Sequence, residues 1–141
     1  MKKPSIGFWV IAALFLLWNA IGCGLYLVEV TMTDAQYAEA YGEALAAARD
    51  LHPTWAVAAY AVAVWGGLLG AILLLLRRGL SVTLFSLSVI AAVIGFIPSF
   101  ISAPLREAAG TTFWLMPMIV VLIGLVEVWF ARRSRSNGTL K

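Results

Sequence analysis

The sequence predicts an all-α fold: an integral membrane four-helix bundle with a short external amphipathic helix between its first two crossings. Three observations carry this reading. Four long apolar runs cover residues 8–28, 55–76, 80–101 and 112–130, and only the last contains a charge, Glu127. A helix needs about 20 predominantly apolar residues to cross the hydrocarbon core, at ~1.5 Å of rise each. The 141 residues are 62% hydrophobic and 12% charged, a balance that would leave a water-exposed globule insoluble. Finally, the cations gather at one set of span ends. Lys2, Lys3, Arg77, Arg78, Arg132, Arg133, Arg135 and Lys141 fall on one side of a four-pass topology, with only Arg49 and Arg106 on the other. Short cytoplasmic loops retain Lys and Arg, so both termini are expected to be cytoplasmic.

The first run follows Lys2-Lys3 and so resembles a secretory signal, and Ala20-Ile21-Gly22-Cys23 weakly resembles a lipoprotein processing site. Ala20 stands where leucine would be expected, and the apolar run continues to Val28, so a retained span is the expectation. The connector that follows is acidic. Thr31 or Thr33 can cap a helix starting near Asp34, where a carboxylate complements the positive helix end. Tyr37, Tyr41, Ala44, Leu45 and Ala48 then recur at spacings of three and four, which predicts one amphipathic helix over about 33–50, closed by His52-Pro53. It reads as an ordered connector, with Tyr37 and Tyr41 as candidate lid residues.

The second and third runs are joined only by Arg77-Arg78-Gly79, so they must be antiparallel neighbours. Gly66 and Gly70 give the second run a close-approach spacing that supports tight helix packing, within or between subunits. Pro98 and Pro117 remove helical hydrogen bonds in the outer halves of the third and fourth runs; two kinks at similar depth predict an outward vestibule beneath the tyrosine-bearing helix. Glu127 is expected near the inner membrane edge, in reach of Arg77, Arg78, Arg132 or Arg133. The tail 132–141 reads as a frayed cytoplasmic segment near anionic headgroups, and 1–141 as a single membrane domain.

Polar residues at mid-depth are few. Asn19 follows Trp18, and Ser86 and Ser88 sit in the third run. An amide in hydrocarbon seeks a partner, so Asn19 can fix helix register with Trp18 and Trp65 packed beside it. Alternatively Trp18, Asn19, Trp65 and Ser86 surround a small polar cavity that holds a neutral solute or a lipid head. The sole histidine, His52, and the sole cysteine, Cys23, offer no metal-ligand cluster and no internal disulfide. No phosphate loop or nucleophile elbow is present, so neither enzyme activity nor a cofactor or metal is expected. The basic residues are spread in small groups along membrane edges, which suits membrane lipids and speaks against nucleic acid.

Leu17-Trp18-Asn19 with Gly22 and Tyr26, Thr31-Met32-Thr33, Pro53-Thr54-Trp55, Ala61–Val64 and Gly66-Gly67-Leu68-Leu69-Gly70 together resemble a family of small four-span bacterial inner-membrane proteins. Its members often carry the automatic label "sugar transporter". The resemblance is strongest over residues 14–78; it implies a transport hypothesis and assigns no catalytic or binding residue. Two readings therefore stand: a non-catalytic accessory, assembly or regulatory component, working with a homo-oligomer or another membrane protein as partner, and a small-solute or lipid-head transporter acting as a homo-oligomer.

Overall fold

The computed structural model describes residues 2–141, and among them every regular element is helical. In chain order these are α1 (Ile6–Thr31), α2 (Asp34–Tyr41), α3 (Glu43–Ala48), a 3-10 turn (Arg49–Leu51), α4 (Thr54–Leu75), α5 (Ser81–Ile101), α6 (Ala103–Ala109) and α7 (Thr112–Ser136). Four of them, α1, α4, α5 and α7, are long and apolar enough to cross a membrane. Only 17 to 28% of their most apolar stretches is buried inside the protein, so most of their Leu, Ile and Val side chains point outward. Such an apolar belt is stable only in lipid, and the chain is a multi-pass membrane protein.

Each boundary has a local cause. The Ser5 hydroxyl accepts the amide of Phe8 and starts α1. Thr33 and Gln36 form a reciprocal capping box at α2. The connector is two helices rather than the single one its periodicity predicts. Gly42 interrupts it at φ 94°, a left-handed conformation that a residue with a Cβ adopts only at a cost. Beyond that break α3 rests on α6, a short helix that the sequence reading left unassigned, and there Ala48 and Leu105 become buried.

The spanning helices pack in the order α1, α4, α5, α7. The α1 and α7 backbones approach only sparsely; large side chains bridge them. At the end that carries the basic residues, the Phe130 ring stacks on Phe8 at 5.8 Å and meets Phe15 edge-on at 5.6 Å. Phe15 in turn meets Phe85, and Leu74 and Ala131 complete this core. Toward the opposite, acidic end the packing thins to the small residues Ala63, Ala91 and Ala92.

The tail is docked, where the sequence predicts fraying. After α7 the chain turns at Gly138 and lies across the basic end, burying Thr139 and Leu140. The Gly79 amide donates to the Lys141 carbonyl at 2.6 Å, and the Lys141 amide donates to the Arg77 carbonyl at 2.8 Å. Arg77 has φ 58° and ends α4 in a Schellman turn, with the Arg78 amide reaching the Leu73 carbonyl. A non-glycine residue there costs about 1 kcal/mol or more. Its guanidinium offsets the cost by donating to the carbonyls of Thr139 (3.0 Å) and Lys2 (2.7 Å). Both termini and the α4–α5 turn thus form one latch.

Candidate functional site

Two places concentrate chemistry: a polar pair sealed inside the bundle, and a cavity open at the acidic end. The pair lies between α1 and α7. Asn19 Nδ2 donates to Glu127 Oε1 at 2.6 Å and, within its own helix, to the Phe15 carbonyl at 2.8 Å. Side chains tilt toward the N-terminus of their helix, and α1 and α7 run in opposite directions, so the two groups lean toward each other. Both are buried. Gly67 of α4 makes room for them: a Cβ there would overlap Asn19 Oδ1 and stand 3.2 Å from Ser88 Oγ. Ser88 itself donates to the Ala63 carbonyl at 2.6 Å and ties α5 to α4.

This placement corrects the expectation for Glu127. The carboxyl is not paired with Arg77, Arg78, Arg132 or Arg133 at the membrane edge, because α7 continues to Ser136 and carries Glu127 deeper. Residues grouped in sequence as one polar cavity also separate. Trp65 is 40% exposed on the outer face of α4, and Trp18 is half-buried without a polar partner. The Ser86 hydroxyl turns back onto the Val82 carbonyl of its own helix at 2.7 Å. Of the four, only Asn19 is in the interior. Gly66 and Gly70 both face α5, Gly66 toward Leu84 and Ser88, Gly70 against the Phe85 ring.

The cavity has a volume of about 570 Å³ and lies between α1, α4, α5 and the α2–α3 connector, with no residue from α7 in its wall. Its floor is Ala63, Val64, Ala92 and Phe96; its mouth carries Glu29, Tyr37, Arg49, Asp50 and His52, with Tyr60 on the wall between. Pro117 borders a separate groove between α5 and α7, lined only by apolar side chains. The cavity's opening therefore owes more to the small residues Ala56, Ala63 and Gly95 than to paired proline kinks.

Arg49 builds the rim. Its guanidinium donates to the carbonyls of Glu29 (2.8 Å) and Met32 (3.1 Å), pairs with Asp34 at 3.2 Å, and lies over the Tyr37 ring at 4.8 Å. Those contacts satisfy the carbonyls that α1 leaves free at its end and fasten α2 above the cavity. Tyr37 and Tyr41 pack together at 4.7 Å, and the Tyr41 hydroxyl donates to Glu29 Oε1 at 3.0 Å. Both phenols titrate above the usual tyrosine range, through burial first and the nearby Glu29 carboxyl second, and remain neutral at physiological pH. Of the two lid candidates, Tyr37 lines the cavity, while Tyr41 is exposed and reaches the rim through Tyr37 and Glu29. Lower down, Tyr26 and Tyr60 meet edge-on at 5.2 Å, and the Cys23 thiol donates to the Val64 carbonyl.

Tyr60 has no distinguishing signal in the sequence, and the pairing of Asn19 with Glu127 and the role of Gly67 beside it emerge only in the fold. A signal for Gly67 existed: Ala56, Ala63, Gly67, Gly70, Ala71 and Leu74 are the buried residues of α4 and recur at helical spacing. Comparison with protein-family models, with curated proteins and with solved structures finds no match to this chain.

Proposed function

We propose that the protein is a non-catalytic accessory or regulatory component of a bacterial inner membrane, with both termini cytoplasmic and the acidic end outside. The observation that carries this reading is the Asn19–Glu127 bond, which uses the one deep amide for packing; the other buried polar side chains among the described residues, Ser81, Ser134 and Thr139, gather at the basic end. Below that bond the aromatic core and the docked tail close the basic end. A protein built this way offers its working surface at one side only. Orientation rests on the eight cations at the latched end, against six carboxylates at the other. The test is purified protein in proteoliposomes together with Asn19→Leu. The reading expects no flux of neutral sugars in either, and lower resistance to denaturant in the variant. Sugar flux that the substitution abolishes, with stability unchanged, would overturn it.

A second reading is favoured by the cavity itself, whose volume of about 570 Å³ lies within the range of small-molecule sites. In this reading the chain is a small-solute or lipid-head carrier resting with its outer side open, and a second copy supplies the wall that α7 leaves unfilled.

A further inference from the structure

We propose that the cavity at the acidic end binds a lipophilic monovalent organic cation, with Glu29 as the counter-ion and Tyr60 as its aromatic wall. The inference goes beyond both readings above, since occupancy from one side requires no passage. It begins with the charges. Glu29, Arg49 and Asp50 line the cavity, but the Arg49 charge is already consumed by Asp34 and by two backbone carbonyls. Among the described residues no cation forms an ion pair with Glu29, whose carboxyl accepts only the Tyr41 hydroxyl. Counting Asp34, three carboxylates meet one guanidinium there, so the mouth keeps a net negative charge even with Arg49 held 2.8 Å from the Glu29 carbonyl, and a carboxylate at the edge of hydrocarbon gains from a cation brought to it.

The walls select the kind of cation. Tyr60 borders the same cavity as Glu29, and the faces of phenol rings attract weakly hydrated ammonium or phosphonium groups; the Tyr37 ring is already covered by Arg49. A metal ion would need several hard ligands, and no group of three or more His, Cys, Asp or Glu side chains converges among the described residues. Beneath the charged rim the floor is wholly apolar, formed by Ala63, Val64 and Phe96, and would bury the hydrocarbon or aromatic body of the same ligand. Anions are disfavoured by Glu29 and Asp50, and a sugar would meet an apolar floor that offers its hydroxyls nothing.

The experiment measures binding of radiolabelled tetraphenylphosphonium to the detergent-purified full-length chain by equilibrium dialysis against protein-free micelles. Radiolabelled tetraphenylborate, of the same shape and opposite charge, is dialysed in a separate parallel cell. The proposal expects saturable binding of the phosphonium, at least tenfold weaker in Glu29→Gln and several-fold weaker in Tyr60→Ala, and no saturable binding of the borate. Glutamine keeps an acceptor for Tyr41, so Glu29→Gln separates charge from folding, and an unchanged melting profile verifies it. Should that variant fail to fold, Tyr60→Ala and the borate cell decide alone. Equal binding by wild type and Glu29→Gln, equal binding of the borate, or no saturable binding of the phosphonium would each overturn the proposal.

Discussion

Replacing Asn19 with Leu probes the interior most sharply, because the two side chains are close in shape and differ chiefly in polarity. In the wild type the Asn19 amide gives one proton to Glu127 Oε1 at 2.6 Å and one to the Phe15 carbonyl. Leucine removes both and leaves a carboxyl, only 3% exposed, facing methyl groups. A buried acceptor stripped of its donor costs about 1 to 3 kcal/mol, whereas interhelical hydrogen bonds in membranes average about 0.6 kcal/mol and reach about 1.7. The single variant should therefore lose about 2 kcal/mol. Glu127→Leu leaves the amide its Phe15 partner and should lose about 1 kcal/mol. The double variant, apolar on both sides, should stand within about 1 kcal/mol of wild type, giving a coupling of about 3 kcal/mol in the cycle. Titration with SDS in mixed micelles, followed by far-UV circular dichroism, measures all four proteins. Additive costs, with no coupling between the sites, would refute the claim that this pair holds α1 to α7.

Gly67→Ala should cost about 2 to 3 kcal/mol in the same titration, since its Cβ overlaps Asn19 Oδ1, while Gly66→Ala, whose Cβ finds only ordinary contacts, should stay within about 0.5 kcal/mol. Deleting residues 137–141 exposes the Leu140 pocket and removes the partners of Gly79 and Arg77, so a loss of about 3 kcal/mol is expected; an unchanged SDS midpoint would contradict the latch. Tyr37 and Tyr41 titrate higher in the folded protein than in the unfolded chain. Their contribution is therefore fully present below the free tyrosine value of about 10 and is lost as pH rises through the higher folded values. Limited proteolysis within α2 should accelerate above about pH 10 in the wild type and be fast at all pH values in Tyr37→Ala/Tyr41→Ala; equal rates throughout would contradict the fastening of α2.

Most of the architecture is legible in the residues because bilayer thickness imposes it. Runs of twenty apolar residues have one stable use, and the three-residue link at Arg77 leaves α4 and α5 no arrangement but a hairpin. What escapes is of two kinds. The first is continuation: the Arg-rich stretch after Phe130 reads as a tail, yet α7 runs six residues further and draws Glu127 inward. The second is pairing across distance, since the Asn19–Glu127 bond joins residues 108 apart and the Gly79–Lys141 bond joins two span ends. Ser, Asn and Gly carry the same local signature whether a tail frays or docks. The cavity falls between these cases. Tyr37, singled out by its helical spacing, lines it, but Glu29 reads as an ordinary helix end until Arg49 folds back over it.

Which end of the bundle faces outward decides where the cavity opens, and cysteine labelling in intact cells reads that directly. In a Cys23→Ala background, single cysteines at exposed Glu39 and Glu107 mark the acidic end, and those at exposed Arg78 and Arg135 mark the basic end. A membrane-impermeant maleimide should label the first two in whole cells and the second two only after permeabilisation. Labelling of Arg78→Cys or Arg135→Cys from outside, or of all four sites alike, would contradict this orientation.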